Sequence, residues 1–310
     1  FLENEIEDSQ LRMIFACCHP AIPYESQIAL TLKTLCGLSI HEIANGFLTT
    51  EETISKRLYR AKEKIRSEKI ELEAPSEGLL AERLDAVLHT LYLLFNEGYN
   101  SSHPELLLRQ DLCAEATRLC LLLTQQPLTD LPRVKALLAL MCFQASRLDA
   151  RQTDDGSIVL LKYQSRALWN KELIARGQIY LNAAASGDEL SEYHLEAAIA
   201  ACHALAPTFE QTHWSQILSL YQLLSKIKPG PIVELNKAIV TGYVESAQLG
   251  IEELKKIGGL KNHYLYHAAL GDFYLQAGDK SRAKTSYQNA LALTTSNQEK
   301  QLIEQKMGLC

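Results

Sequence analysis

The last third of the chain places small and aromatic residues at intervals that fit paired helices. Leu270-Gly271, Tyr274, Gly278, Ala283, Tyr287 and Ala290 follow this spacing. Gly271 and Ala283 let two helices approach closely, Tyr274 and Tyr287 fill the space between them, and Gly278-Asp279 supplies the turn. The stretch 231–257 has the same hairpin length, and 193–205 with 213–227 reads as a more divergent hairpin. A single hairpin cannot bury its own apolar face, so at least three are expected to stack, with a closing helix from Asn297 to about Met307. Composition agrees. Of 310 residues only 15 are Gly and 9 are Pro, and 47% are hydrophobic, which favours helix over strand and a packed core.

The expected fold class is therefore all-α, with three domains. Residues 1–73 are helical and end in a basic stretch. Glu71-Leu72-Glu73-Ala74-Pro75-Ser76-Glu77-Gly78 reads as a polar linker. Residues 79–185 form an apolar helical middle domain, and residues 190–310 are the hairpin repeats. No apolar run approaches the length of a membrane span. The acidic opening, Phe1-Leu2-Glu3-Asn4-Glu5, lacks the basic and apolar segments of a signal peptide and has no initiator Met. The chain is thus read as a fragment with an upstream part missing. The eight cysteines form no C-x-x-C pair, and most lie in apolar helical surroundings, as expected for buried thiols of a cytoplasmic protein. Cys17-Cys18-His19 has no second ligand pair at a zinc-finger spacing, so no metal is expected there.

The sharpest local pattern lies between Leu38 and Ser67. Ser39-Ile40-His41-Glu42 is a capping box, which starts a short helix with Ile40, Ile43, Ala44 and Phe47 on one side. That helix ends near Gly46-Phe47-Leu48. Thr50 offers a second N-cap, followed by acids in the first turn. In the second helix Ile54, Leu58, Ala61 and Ile65 form a buried stripe. Lys56, Arg60 and Lys64 form another, flanked by Arg57, Lys62 and Arg66. Two short helices with a tight turn, the second of them basic, describe a helix-turn-helix. The second helix would show polar groups to base edges while its flanks meet phosphates. The competing reading is a solvated basic face.

The runs Leu38-Ser39-Ile40-His41-Glu42-Ile43-Ala44 and Thr53-Ile54-Ser55-Lys56-Arg57-Leu58-Tyr59-Arg60-Ala61-Lys62 resemble region 4 of bacterial sigma factors, most closely the extracytoplasmic-function (ECF) class. Leu11–Pro20, Phe95-Asn96-Glu97-Gly98-Tyr99 and Asp111–Ala116 resemble the ECF subgroup whose long C-terminal helical extension ends in tetratricopeptide-like repeats. The resemblance covers nearly the whole chain. It implies promoter recognition at the −35 element, with double-stranded promoter DNA and core RNA polymerase as partners, no cofactor and no enzymatic activity. The extension is then expected to regulate sigma activity or to receive a regulatory protein or ligand. Ser55, Lys56, Tyr59 and Arg60 match base- and backbone-contacting positions of the family. Arg57, Lys62, Lys64 and Arg66 are better phosphate candidates, and Thr53 is another. Two departures stand out. Many helix-turn-helix units have Gly where this chain has Leu48, so a different turn geometry is expected. Sigma region 2, which precedes region 4 in the family, is absent.

In the middle domain Leu84, Val87, Leu88, Leu91, Tyr92, Leu94 and Phe95 make a wide apolar face, and Gly98 is expected at the helix C-terminus. Glu97, Asp111, Glu115 and Arg118 are expected to form one polar cluster between helices. An enzymatic reading would pair Glu97 with Glu115. Thr153-Asp154-Asp155-Gly156-Ser157 is a turn signal, too short for a calcium loop, with an extended piece after it. Gln164, Arg166 and Trp169 are expected to pack against the sigma-like domain. Two alternatives stay open: a one-component helix-turn-helix regulator that needs no polymerase, and a small-molecule sensor or enzyme built on the middle domain.

Overall fold

The computed structural model describes residues 8–73 and 77–310. The opening residues 1–7 and the linker residues 74–76 lie outside the described residues. The fold is all-α: fifteen α-helices, three single 3₁₀ turns and no strand among the described residues. One isolated antiparallel bridge, Gln152 to Ile158, closes the turn at Thr153–Ser157 and is all that forms of the expected extended piece.

The chain divides into two compact units, Phe1–Ala145 with Arg176–Glu189, and Ser146–Ala175 with Leu190–Cys310. The first unit holds α1 (Ser9–Cys17), α2 (Tyr24–Thr34), α3 (Ile40–Gly46), α4 (Glu51–Ser67), α5 (Glu77–Tyr99), α6 (Gln110–Leu123) and α7 (Pro132–Ala145). Residues on both sides of the expected linker therefore share one unit. The long helix α5 buries Leu84, Val87, Leu88 and Leu91 completely, and α1, α2, α3, α6 and α7 all pack against it. Arg83, on the same helix, is buried and donates to the Phe15 carbonyl at 3.0 Å, which fastens the end of α1. The segment from Arg176 returns to this unit through a close approach. A Cβ on Gly177 would stand 2.9 Å from the Phe143 ring.

Gly98 does not end α5. It lies inside the helix, one residue before Tyr99, where α5 comes close to the start of α6. A Cβ there would stand 2.7 Å from the Cys113 amide nitrogen and 2.8 Å from the Arg109 carbonyl oxygen. The Gly98 carbonyl accepts the Arg109 N–H at 2.8 Å. The residue is small because the neighbouring backbone leaves no room, not because a left-handed cap is needed.

The second unit carries consecutive helices packed on one another: α9 (Glu192–Leu205), α10 (Trp214–Ile227), α11 (Pro231–Val244), α12 (Ala247–Lys256), α13 (Tyr264–Gln276), α14 (Lys280–Leu293) and α15 (Asn297–Met307). α8 (Lys171–Ala184) lies between the two sets in the chain. Gly278 has φ of 80° and ends α13 in a Schellman turn, with the Asp279 N–H donating to the Tyr274 carbonyl at 2.9 Å. Gly271 and Tyr287 interlock: a Cβ on the glycine would stand 2.5 Å from the ring. Ala283, Tyr287 and Ala290 are fully buried, as their spacing predicts. The Tyr287 hydroxyl donates to Asp272 at 2.7 Å, and Lys306 on α15 ion-pairs with the same carboxylate at 2.7 Å, fastening the closing helix.

Backbone atoms of Arg109 and Cys113 confine Gly98, so overpacking cannot be relieved by a rotamer change. The substitution Gly98→Ala is expected to cost about 1–3 kcal/mol, read as a lowered urea midpoint with unchanged slope. An unchanged midpoint would show that α5 and α6 can separate freely at this point.

Candidate nucleic-acid interface

The helix pair α3–α4 is built from two side-chain caps. The Ser39 hydroxyl accepts the Glu42 N–H at 3.1 Å, and the Glu42 carboxylate accepts the Ser39 N–H, completing the capping box. Thr50 caps α4 by accepting the Thr53 N–H at 3.2 Å, and its hydroxyl meets that of Thr53 at 2.9 Å. Glu51 and Glu52 follow in the first turn of α4, and Lys64 and Arg66 lie in its last, as the helix dipole favours.

Between them the turn takes the conformation that glycine usually supplies. Leu48 has φ of 51°. The Thr49 N–H donates to Ala44 at 2.9 Å and the Leu48 N–H to Asn45 at 3.1 Å, which is a complete Schellman motif with a leucine in the left-handed position. The missing glycine therefore leaves the backbone path intact and adds strain. Leu48 is half exposed, so its side chain recovers little by burial.

The buried side of α4 consists of Ile54, Leu58 and Ala61, with Ile65 only partly covered. Its outer side presents Ser55, Lys56, Tyr59, Arg60, Lys62 and Arg66 to solvent, while Thr53 and Lys64 are partly exposed. Tyr59 is 66% exposed and belongs to the outer face, not to the core beside Leu58. Lys56 pairs with Glu52 at 2.6 Å, Arg66 with Glu63 at 2.5 Å and Lys64 with Glu68 at 3.7 Å, all within the helix or its cap. Arg60 and Lys62 make no ion pair among the described residues.

Arg57 departs from the expected phosphate set. It ion-pairs with Glu25 on α2 and lies over the Phe47 ring at 5.3 Å. Phe47 in turn meets His89 of α5 at 6.1 Å between ring centroids, and Tyr24 meets the same imidazole at 5.9 Å. Arg57 thus joins the helix pair to α2 and α5.

Glu42 serves a second partner. Arg109, from the segment before α6, donates to its other oxygen at 2.7 Å. Burial raises the pKa of this carboxyl, but the Ser39 bonds and the Arg109 charge outweigh it and hold the group below its usual 4.5. Nearby, Glu97 is buried and accepts from Ser101 Oγ at 2.9 Å, Ser102 N at 3.0 Å and Ser102 Oγ at 3.1 Å. Desolvation leaves Glu97 above its usual range despite those bonds. The expected four-residue polar cluster does not form. Glu115 is held by Arg118 at 2.7 Å, Arg118 also reaches Asp8 at 2.7 Å, and Asp111 is exposed. Glu97 and Glu115 bond to different partners, so no carboxylate pair is assembled. The Arg109–Glu42 strut was not legible in sequence, because its two residues lie far apart and only the Ser39 spacing pointed to Glu42.

The polar and aromatic residues Gln164, Arg166 and Trp169 find partners within the second unit. Gln164 accepts from Arg147 at 3.3 Å, and Arg166 donates from Nε to the Ala206 carbonyl at 3.3 Å. Cys17, Cys18, Cys113, Cys120 and Cys142 are buried thiols, and desolvation pushes Cys18 up to about 12. Among the described residues no group of His, Cys, Asp or Glu is placed to hold a metal ion, and no helix is long and apolar enough to cross a membrane.

This is an all-helical chain with a solvent-facing basic helix braced from behind. Its residues 83–185 match a family of unknown function (DUF6596). The chain is 36% identical over 301 residues, 97% of its length and 71% of the relative's, to "Uncharacterized protein R00370" of Rhizobium meliloti (strain 1021). It belongs to the family of that Rhizobium protein. No solved structure matches.

Relieving the left-handed leucine should stabilise the turn. The substitution Leu48→Gly is expected to raise stability by about 1 kcal/mol, read from the urea midpoint; a lowered midpoint would mean that the Leu48 side chain contributes more by packing than its backbone costs. The Glu42 carboxyl, held below 4.5, contributes stability that is present above that pH and lost as pH falls through its folded value. Glu42→Gln keeps the capping geometry without the charge. It should therefore show a shallower loss of stability below pH 4.5 than the unsubstituted chain, and equal slopes would mean that titration of Glu42 contributes nothing to the acid loss.

Proposed function

We propose that this chain is the −35-reading part of an ECF-type RNA polymerase sigma factor, with α3–α4 as its helix-turn-helix and α4 lying in the major groove of promoter DNA. The observation that carries the reading is the outer face of α4. Ser55, Lys56, Tyr59 and Arg60 stand exposed on one side of a helix whose other side is buried and whose start is fixed by a cap. A helix can read base edges only if it is held from behind and left bare in front.

On this reading Arg60, free of ion pairs, matches the fork of a guanine edge, and Tyr59 supplies a flat apolar contact. Lys62, Lys64 and Arg66 meet phosphates. Arg57 is reassigned from phosphate contact to bracing, because Glu25 and Phe47 already hold it. Core RNA polymerase is the partner, the compartment is the cytoplasm, and the chain performs no catalysis. The helices from α9 to α15 act as a tetratricopeptide-like extension that regulates sigma activity or receives a partner.

Fluorescence anisotropy of a mixed promoter-duplex pool, at two salt concentrations, tests this with the whole chain, alone and with core polymerase. Lys62→Ala should weaken binding to every duplex alike and reduce the salt slope by about 1. Arg60→Ala should lose about 1–3 kcal/mol of discrimination between duplexes. Arg57→Ala should leave the salt slope unchanged while lowering the unfolding midpoint. Binding that is absent with and without polymerase, or indifferent to Arg60 and Lys62 together, would overturn the proposal.

A further inference from the structure

In the second unit the segment 161–169 lies against the end of α9. The Arg166 guanidinium carbon stands 3.8 Å above the centroid of the Trp169 ring, and the Arg147 guanidinium lies 5.2 Å from the same centroid. Trp169 is 3% exposed. His203 on α9 packs edge-on against Trp214 at 5.3 Å. Burial, then the charges of Arg147 and Arg166, push its imidazole down to about 3, so it is neutral at physiological pH.

These side chains leave an unusual set of donors. Both terminal nitrogens of Arg166, the indole nitrogen of Trp169 and Nδ1 of His203 are buried and have no hydrogen-bond partner among the described residues. Buried polar atoms are paired almost everywhere in folded proteins, so orphans gathered at one place call for a specific cause. Stacking on Trp169 does not supply it. A ring face attracts the guanidinium as a cation, but the N–H bonds lie in the guanidinium plane and point off its edge. The one side-chain hydrogen bond of Arg166 among the described residues, from Nε to the Ala206 carbonyl, fixes the head and leaves the two outer nitrogens as a fork. Glu210, the carboxylate near enough to act on its charge, is exposed and makes no ion pair with it among the described residues. Arg166 as a whole is only partly buried, while both of its outer nitrogens are covered.

We propose that Arg166, with Trp169 and His203, forms a binding site for a small oxyanion, a phosphate or carboxylate group taken by the guanidinium fork. Two acceptor oxygens on one centre match the two terminal nitrogens, and the negative charge answers a cluster in which two guanidinia share one indole. The neutral His203, as its Nδ1–H tautomer, and the Trp169 N–H are further donors that need no charge to bind. The site is independent of how α4 meets DNA.

Equilibrium dialysis of the whole chain with radiolabelled inorganic phosphate, at ionic strength held constant with chloride, tests it. Saturable binding of one equivalent is expected, with a change in tryptophan emission, since Trp169 is one of only two tryptophans. Arg166→Gln should weaken binding at least tenfold, and Arg166→Lys, which keeps the charge without the fork, should fall between. Displacement of phosphate by acetate would assign the site to the carboxylate class, and retention against acetate to phosphates. If Arg166→Gln fails to fold, hydrogen exchange of the unsubstituted chain decides. Protection on adding phosphate confined to 161–170 and 200–207 supports the site, and protection elsewhere overturns it. Absence of saturable binding, or binding unchanged in a folded Arg166→Gln, also overturns it.

Discussion

The presentation of α4 depends on the two oxygens of Glu42. One closes the capping box on the Ser39 amide, and the other takes the guanidinium of Arg109. α3 has only seven residues and is too short to persist without external support. Its carboxylate supplies that support twice, once within its own first turn and once across to the segment that starts α6. Partial burial opposes ionisation of this group, and the bonds it accepts overcome the opposition. A cap on the surface would fix where α3 begins. Bonding to Arg109 also fixes where α3 sits on α5 and against the segment that leads into α6, and α4 inherits that placement through the turn at Leu48.

What could be read from the sequence was local. The capping box, the Thr50 cap, the stripe of Ile54, Leu58 and Ala61, and the Gly278 turn each depend on residues within one or two helical turns of one another, so spacing alone revealed them. Two of the misreadings turn on distant partners. Asn96-Glu97-Gly98-Tyr99 carries a stop signal, yet Gly98 is set by the backbone of Cys113 on another helix. Arg57 falls beside the basic stripe in a helical projection, but Glu25 and Phe47 draw it inward. Glu97 and Glu115 look like neighbours on adjacent helices, and each is satisfied by groups close to it in the chain. Leu48 is a different case. Its residue type argues against a left-handed turn, and the caps on both sides impose that turn regardless.

The same limit applies to domains. A polar stretch with Pro and Gly reads as a boundary, but α5 begins within it and packs on α1, α2 and α3 as well as on α6 and α7. Arg133 of α7 pairs with Asp85 at 3.1 Å and with Glu189 at 2.9 Å, so the returning segment is fastened by charge as well as by the Phe143–Gly177 contact. Packing units here are closed by chain segments that leave and return, which no composition profile along the sequence can display. The family match over 83–185 begins inside α5 and runs past Ala145, so it too includes residues of both units.

The charge arrangement on α4 separates what a polyanion can recruit from what it cannot. Lys56, Lys64 and Arg66 each have an acid three or four residues away, but these pairs are solvent-exposed, and such pairs hold little net free energy. On the proposed reading, a DNA phosphate approaching the helix would exchange one weak partner for another and gain from counterion release, so the acids Glu52, Glu63 and Glu68 would tune the face without closing it. Arg57 differs in kind. Its side chain is 23% exposed, its partner comes from another helix, and withdrawing it would leave Glu25 and Phe47 without their contact. Counting basic residues therefore overstates the available face, and counting unpaired ones understates it. The cations that matter are those whose present partners are exposed and local, and on this helix they surround Tyr59 and Arg60.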